Sequence, residues 1–262
     1  LTSATRTTGG TFGFVRRELG VPKASPAIEI ASPFNFEEQA MLIVPPLPDP
    51  DNDPEGWADG VQEVLRYVTK TLDGRTLGLF TSTARMKAAA ADLERVEGGR
   101  RKILMQGQGA LRVLTDEKKK DERSVLLGLN SLWTGVDAPG DTVSAVVMDR
   151  LPMLVGSPQL DAVKAAMKNE VWKDERGIER KGRDFFTGHY FPKSALRLRQ
   201  GFGRGVRSTK DVCVTILCDN RILTRPYGAE FLRSLPKTHL SKRLDDLVPF
   251  LKYARATVRG PK

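Results

Sequence analysis

Residues 195–217 read ALRLRQGFGRGVRSTKDVCVTIL, a basic, glycine-containing stretch that runs directly into an apolar one. The apolar part, residues 212–217, predicts a buried strand, because it is nearly continuous in apolar side chains. Ahead of it, Gln200, Arg204 and Arg207 stand at i, i+4 and i+7, the spacing that places side chains on one face of a helix. The stretch therefore predicts a helix with a basic face, followed by a core strand.

The two guanidiniums on that face indicate a phosphate partner. Like charges aimed in one direction repel each other unless a polyanion lies opposite them, and the planar guanidinium matches phosphate oxygens in pairs. A solvated basic helix face is the alternative interpretation. Gly201, Gly203 and Gly205 weigh against that alternative, because a glycine costs a helix roughly 1 kcal/mol. Three of them indicate that another surface comes very close.

Outward from this stretch, apolar runs alternate with helical patterns. Strands are predicted at residues 41–44, 76–80, 102–106, 124–129 and 143–148, and helices at 56–72, 84–96, 109–121 and 158–172, with a terminal helix pair over 228–254. Residues 173–190 have no clear period and are predicted to be a mobile surface excursion. Apolar strands alternating with helices are typical of an α/β fold with a doubly wound, mostly parallel sheet.

Ligands of such sheets bind at the carboxyl ends of the strands, so the loops at those ends are the expected functional edge. Thr81 and Ser82 follow one strand, and their hydroxyls suit either a nucleic-acid phosphate or a helix cap. Gln106 ends another strand and is a weaker candidate.

The loop after residue 129 carries a second set of candidates. Trp133 is expected to be an exposed aromatic that stacks on a base or sugar. Gly135 allows a tight turn, and Asp137 serves either as a ligand or as a turn-capping residue.

Composition favours a nucleic-acid or phosphate partner. The 262 residues include 42 basic and 32 acidic side chains, a net charge of +10. The two cysteines, Cys213 and Cys218, fall in one apolar run and predict buried, reduced thiols, which fits a cytoplasmic protein. With only two histidines besides, no zinc, iron–sulfur or other metal site is expected in this chain. No apolar run reaches the roughly 18 residues that would predict a membrane span.

Two features indicate that the chain is part of something longer. It begins with Leu1 rather than methionine, so we expect a fragment or a processed product. It contains neither a G-x-x-x-x-G-K-[ST] phosphate loop nor an Asp-Glu pair after a strand. We therefore expect that this chain does not hydrolyse a nucleotide by itself.

Taken in order, several segments resemble the motifs of the DinG and XPD group of superfamily 2 helicases, with the greatest similarity to bacterial DinG. They are LTSAT at 1–5 (motif III), SPFNFEEQ at 32–39, LGLFTS at 77–82 (motif IV), QG at 106–107, SLWTGVDAPGD at 131–141 (motif V), MDRLP at 148–152 and QGFGRGVR at 200–207 (motif VI). The resemblance implies that residues 1–30 are the end of the first motor domain and a connector. Residues 31–262 are then the second RecA-like motor domain.

In such helicases ATP and Mg²⁺ lie between the two motor domains, and the first domain holds the phosphate loop. The resemblance implies that Arg204 and Arg207 are arginine fingers and that Gln200 orients the phosphate or the attacking water. Gly135, Asp137 and Gly203 would lie at the nucleotide, with Gly135 and Asp137 coupling it to the tracked strand.

The implied partner is single-stranded DNA or an RNA–DNA hybrid, tracked 5′ to 3′. Thr81 and Ser82 would hold its phosphates, and Gln106, Ser131 and Trp133 would complete the nucleic-acid site. An iron–sulfur cluster, where the parent has one, would lie before motif III and outside this chain. A CRISPR-associated DinG is one candidate for the full-length parent protein of this chain.

Two departures from the family pattern leave alternatives open. Thr134 stands where the family usually has Glu, which puts coupling at that position in doubt, and residues 155–190 replace a short prolyl segment. A non-catalytic nucleic-acid-binding module of the same fold is the first alternative. A nuclease is the second, although only Asp137 and Asp141 come close together in sequence.

Overall fold

The computed structural model describes residues 12–135, 142–173 and 177–259. The strands are β1 (Ala40–Ile43), β2 (Thr76–Leu79), β3 (Ile103–Met105), β4 (Val125–Gly128), β5 (Ala145–Met148), β6 (Val171–Lys173), β7 (Glu179–Lys181), β8 (Cys213–Leu217) and β9 (His239–Ser241). Within these ranges, one seven-stranded sheet has the order β3-β4-β2-β5-β8-β1-β9, and its strand pairs are parallel. The predicted parallel sheet is confirmed.

Helices cover both faces of this sheet. They are α1 (Gly13–Glu18), α2 (Phe36–Gln39), α3 (Pro54–Thr71), α4 (Thr83–Glu97), α5 (Leu111–Lys120), α6 (Asn130–Gly135), α7 (Pro158–Asn169), α8 (Phe191–Phe202), α9 (Arg221–Thr224), α10 (Gly228–Ser234) and α11 (Leu247–Arg259). Alternate strand residues enter two separate cores: Val147 packs with α3, α4 and α11, and Val146 packs with α6, α8 and α10. This is the doubly wound arrangement that the sequence predicts.

The end of the chain differs from the prediction. Instead of an unbroken pair of helices over 228–254, α10 ends at Ser234 and β9 intervenes before α11. Pro236 follows the end of α10 and cannot continue it. The three residues of β9 pair with β1 at the edge of the sheet and are largely exposed, so no apolar run marks the strand in the sequence.

The segment before α8 is also more regular than the sequence indicates. β6 pairs with β7 in an antiparallel hairpin, and Phe186–Tyr190 forms a π-helical turn that continues into α8. The hairpin is fixed by Trp172, whose indole N–H donates to the Gly182 carbonyl at 3.0 Å while the Arg183 guanidinium stacks on its ring. The predicted helix over 158–172 is therefore too long, because α7 ends at Asn169 and β6 begins at Val171. Residues 173–190 were predicted to be irregular because strands of three residues are too short to give a period.

α1 packs onto the same region, since Glu18 Oε1 lies 3.0 Å from His189 Nδ1 in the π-helical turn. The division of the chain at residue 30 stays a prediction. None of the helices in the described ranges is both long enough and apolar enough to cross a membrane.

Candidate nucleotide and nucleic-acid sites

The candidate residues fall at two opposite edges of the sheet. Thr81 and Ser82 follow β2, and Gln106 follows β3, so these three lie at the carboxyl edge. The loop with Arg204 and Arg207 instead precedes β8 and lies at the amino edge. The two arginines therefore lie outside the carboxyl edge that the sequence predicts to be functional, because the α8 crossover returns the chain to the amino ends of the strands before they appear.

The two arginines do not share a helix face with Gln200. Gln200 lies in the last turn of α8, which ends at Phe202, and Arg204 and Arg207 belong to the following loop. Gly203 caps the helix by donating its N–H to the Arg199 carbonyl at 3.0 Å, and the Arg204 N–H bonds to Gly201 at 3.1 Å. The i, i+4, i+7 interpretation is wrong because the helix stops inside the spacing.

A buried carboxylate and a buried amide hold the arginine loop in place. Asp211 Oδ2 accepts the backbone N–H groups of Arg207 and Ser208, each at 2.8 Å. Gln39 Nε2 donates to the carbonyls of Ser208 and Asp211, at 2.8 and 2.9 Å. Gln39 and Asp211 are 2% and 4% exposed. The backbone of this loop is therefore held in place by two buried side chains. Gln200, Arg204 and Arg207 lie within eight residues, and an amide with two guanidiniums is a set of hydrogen-bond donors that suits phosphate groups such as those of ATP.

The glycines of this stretch serve packing inside the domain. A Cβ on Gly201 would lie 2.7 Å from Trp133 Cε3 and 2.8 Å from Met148 Cε, and a Cβ on Gly205 would overlap the Cys213 side chain. A Cβ on Gly203 would meet only backbone oxygens at 3.5 and 3.7 Å. Another surface does come close, as the sequence predicts, but at Gly201 and Gly205 it is the protein's own core.

Gly205→Ala is expected to lower the free energy of unfolding by about 3 kcal/mol, because the added methyl group overlaps a buried strand residue. Gly203→Ala is the matched control and should change it by less than about 0.5 kcal/mol. Urea unfolding of both variants checks this. Equal effects at the two positions would contradict the packing role of Gly205.

Trp133 is not the exposed loop aromatic that the sequence predicts. It lies on α6, is 2% exposed, and packs against α8 where Gly201 leaves room for its ring. A buried indole cannot stack on a base, so Trp133 is withdrawn from the nucleic-acid site. Ser131 is exposed on the same helix, and Gly135 is its last residue. Asp137 lies outside the described residues.

Gln106 joins the ends of two neighbouring strands. Its Oε1 accepts the Leu129 N–H at 2.8 Å, and its backbone N–H donates to the Leu127 carbonyl at 2.9 Å. The side chain therefore fixes the point where β4 leads into α6, which carries Ser131.

At the carboxyl edge, Thr81 meets two charged residues that sequence reasoning missed. Asp149 follows β5 with a side chain that is 0% exposed, and its carboxylate lies 3.1 Å from Arg85 Nε. Burial raises the pKa of Asp149 to about 6, against the opposing effect of Arg85 and of the bonds from Thr81. The signal was available, since Asp149 directly follows an apolar run and carboxyl-edge loops were the expected functional edge.

The raised pKa of Asp149 predicts a pH dependence of stability. An unfolded aspartate has a pKa near 4, so between about pH 4 and pH 6 the native state holds more protons, and the free energy of unfolding falls as the pH rises. Relative to Asp149→Asn, wild-type stability should fall by about 3 kcal/mol across this window, measured by urea unfolding. Exposed Asp116→Asn is the control. A stability difference between the wild type and Asp149→Asn that does not vary with pH would contradict the raised pKa of Asp149.

Residues 65–238, more than half of the 262 residues, match the helicase C-terminal domain family. The chain belongs to this family. Within the described ranges of this helicase C-terminal domain, no three His, Cys, Asp or Glu side chains come together as a metal site.

The helicase C-terminal domain is 34% identical over 251 residues to ATP-dependent DNA helicase YoaA of Haemophilus influenzae. This match covers 96% of the chain and 37% of that protein. ATP-dependent helicase DinG of Mycobacterium tuberculosis is 35% identical over 241 residues, 90% of this chain and 34% of that protein. The 3′-5′ exonuclease DinG of Bacillus subtilis is 32% identical over 252 residues, a match that covers 94% of this chain and 26% of that protein. The chain thus spans 26–37% of the length of these relatives, and the predicted DinG resemblance is confirmed.

Among solved structures, S. cerevisiae Dbp5 bound to RNA and ADP BeF3 has a TM-score of 0.51 at 17% identity, covering 94% of this chain and 54% of that one. This likeness supports the RecA-like fold of the helicase C-terminal domain.

Proposed function

We propose that the chain is the second motor domain of an ATP-dependent DNA helicase that moves 5′ to 3′ along a single strand. The observation that carries the proposal is the arginine loop at the amino edge, held by Asp211 and Gln39 within a helicase C-terminal domain. A loop fixed by its backbone holds the attachment points of both arginine side chains in place, which favours a role as arginine fingers.

The nucleotide would lie between this loop and a first motor domain on the same polypeptide. When bound, ATP with Mg²⁺ supplies the phosphoryl group that is transferred to water. Arg204 and Arg207 would stabilise the negative charge that develops during transfer, and Gln200 would orient the phosphate or the water. Gly203 caps the helix at the start of this loop and would lie close to the nucleotide.

The nucleic-acid strand would lie at the opposite, carboxyl edge. Thr81 and Ser82 between β2 and α4, and exposed Ser131 on α6, are the candidate residues that lie at this edge. The chain between β4 and β5 runs from this edge to the amino edge, and it includes Gly135 and Asp137. We propose that this segment couples hydrolysis to movement, because it leads into β5, which pairs with β8, and the arginine loop precedes β8.

The substrate that fits is single-stranded DNA, with an RNA–DNA hybrid as a further candidate, and we place the protein in the cytoplasm. An iron–sulfur cluster and a CRISPR association stay predictions about the parent. A non-catalytic nucleic-acid-binding module remains the second candidate, since Thr134 replaces the family's usual Glu.

The experiment compares this chain alone with the full-length protein. The chain alone is expected to hydrolyse no ATP, with or without single-stranded DNA. The full-length protein should hydrolyse ATP faster when DNA is added, and should unwind duplexes with a 5′ overhang in preference to a 3′ overhang. Strand binding without hydrolysis in the full-length protein would establish the non-catalytic alternative.

A further inference from the structure

The first turn of α4 carries a cation that helix stability does not explain. Arg85 lies three residues after the cap Ser82, whose Oγ accepts the Arg85 backbone N–H at 3.5 Å. A cation there adds to the positive end of the helix dipole instead of offsetting it. Arg85 therefore needs another reason to occupy this position.

The hydroxyl of Thr81 is already engaged by its neighbours. Thr81 Oγ1 donates to Asp149 Oδ2 at 3.3 Å and accepts from Arg85 Nη2 at 2.8 Å, and the Thr81 backbone N–H donates to Asp149 Oδ1 at 3.0 Å. A phosphate at this edge would have to break these bonds to reach Thr81. The side chain that Thr81 supports is the better candidate.

Arg85 is held along one side and open along the other. Its Nε donates to Asp149 Oδ2 at 3.1 Å, and its guanidinium carbon lies 5.2 Å from the ring centre of Trp57. Trp57 is 2% exposed and is itself fixed by a hydrogen bond to the Cys218 carbonyl. In the described part of the chain Nη1 makes no hydrogen bond, and 32% of the Arg85 side chain is exposed.

We propose that Arg85 binds a backbone phosphate of the tracked single strand, and that Thr81, Asp149 and Trp57 position its guanidinium. The inference rests on the proposed function, in which the strand lies at this edge. The Asp149 carboxylate is 0% exposed whereas the Arg85 side chain is 32% exposed, so a phosphate that approaches from solvent meets the cation. Because the guanidinium is already fixed, binding costs little side-chain entropy.

The test is the salt dependence of single-strand binding by the full-length protein, measured with a fluorescent oligo-dT. Each phosphate contact on a single strand contributes about 0.7 to the slope of log affinity against log salt. Arg85→Gln should lower the slope by about 0.7 and weaken binding about tenfold at low salt. Arg85→Lys should keep the slope but bind more weakly, because an ammonium cannot reproduce the fork.

Arg95→Gln on the same helix is the matched control, since Arg95 is 71% exposed and pairs with Asp92. It should leave both slope and affinity unchanged. Because Arg85→Gln leaves a buried carboxylate unpaired, the double variant Arg85→Gln/Asp149→Asn removes both charges and must show the same loss of slope.

If the wild-type protein binds the strand normally and the folded double variant keeps the same salt-dependence slope, the proposed role of Arg85 is overturned. The proposed function is not affected by that result. A wild-type protein that shows no salt-dependent strand binding would instead overturn the proposed function. The two failures are therefore distinguishable.

Discussion

Arg204→Ala or Arg207→Ala in the full-length protein is expected to lower the DNA-stimulated kcat for ATP hydrolysis by about 10³-fold. The physical reason is that each guanidinium would face charge that develops on the phosphoryl group during transfer, and alanine leaves that charge unstabilised. The loop should survive the substitutions, because Asp211 and Gln39 hold it through backbone groups that alanine retains.

Three further measurements separate this role from general damage. The KM for ATP should change little, since the first motor domain would hold the nucleotide. Single-strand affinity should be unchanged, because these arginines lie at the edge opposite Thr81 and Ser82. Arg233→Ala on α10, which removes a 64% exposed arginine, should leave kcat intact. Near-normal rates for both Arg204→Ala and Arg207→Ala would reject the finger assignment.

The sequence predicts the sheet well because its strands are buried on both faces. Every residue of β2, β4 and β5 is buried, and Thr76 is the one polar residue in these three strands, so they are visible without any period. β9 and the two strands of the β6–β7 hairpin contain only three residues each, too few to show a period. β9 also pairs with β1, which is distant from it in sequence. Strands of that kind cannot be found by local pattern alone.

The candidate site was predicted by residue type more successfully than by geometry. Helical spacing placed Gln200 with the arginines, but α8 ends at Phe202 and leaves them in a loop. The error with Trp133 has a related cause, because an aromatic after a strand was taken as a loop residue when α6 begins immediately. The pairing of Arg85 with Asp149 was missed because it is a tertiary contact between residues that follow β2 and β5.

Trp133→Ala is expected to lower the free energy of unfolding by about 3–5 kcal/mol, the range for removing a large buried aromatic. Trp133→Phe should cost only about 1 kcal/mol, because it keeps a ring in place and its indole N–H has no hydrogen-bond partner within the described ranges. Tyr253→Ala, at a 64% exposed position on α11, is the control and should have little effect. Urea unfolding measures all three.

A double-mutant cycle tests whether Trp133 acts through its contact with α8. Gly201→Ala alone should destabilise, because its methyl group would lie 2.7 Å from the Trp133 ring. In the Trp133→Ala background that overlap is gone, so the same substitution should cost less, and a coupling energy of about 1 kcal/mol or more is expected. Additive effects would contradict the packing contact between Trp133 and Gly201. A loss of strand affinity by Trp133→Ala at unchanged stability would return Trp133 to the nucleic-acid site. Coupling would instead show that Trp133 stabilises the protein through its contact with α8.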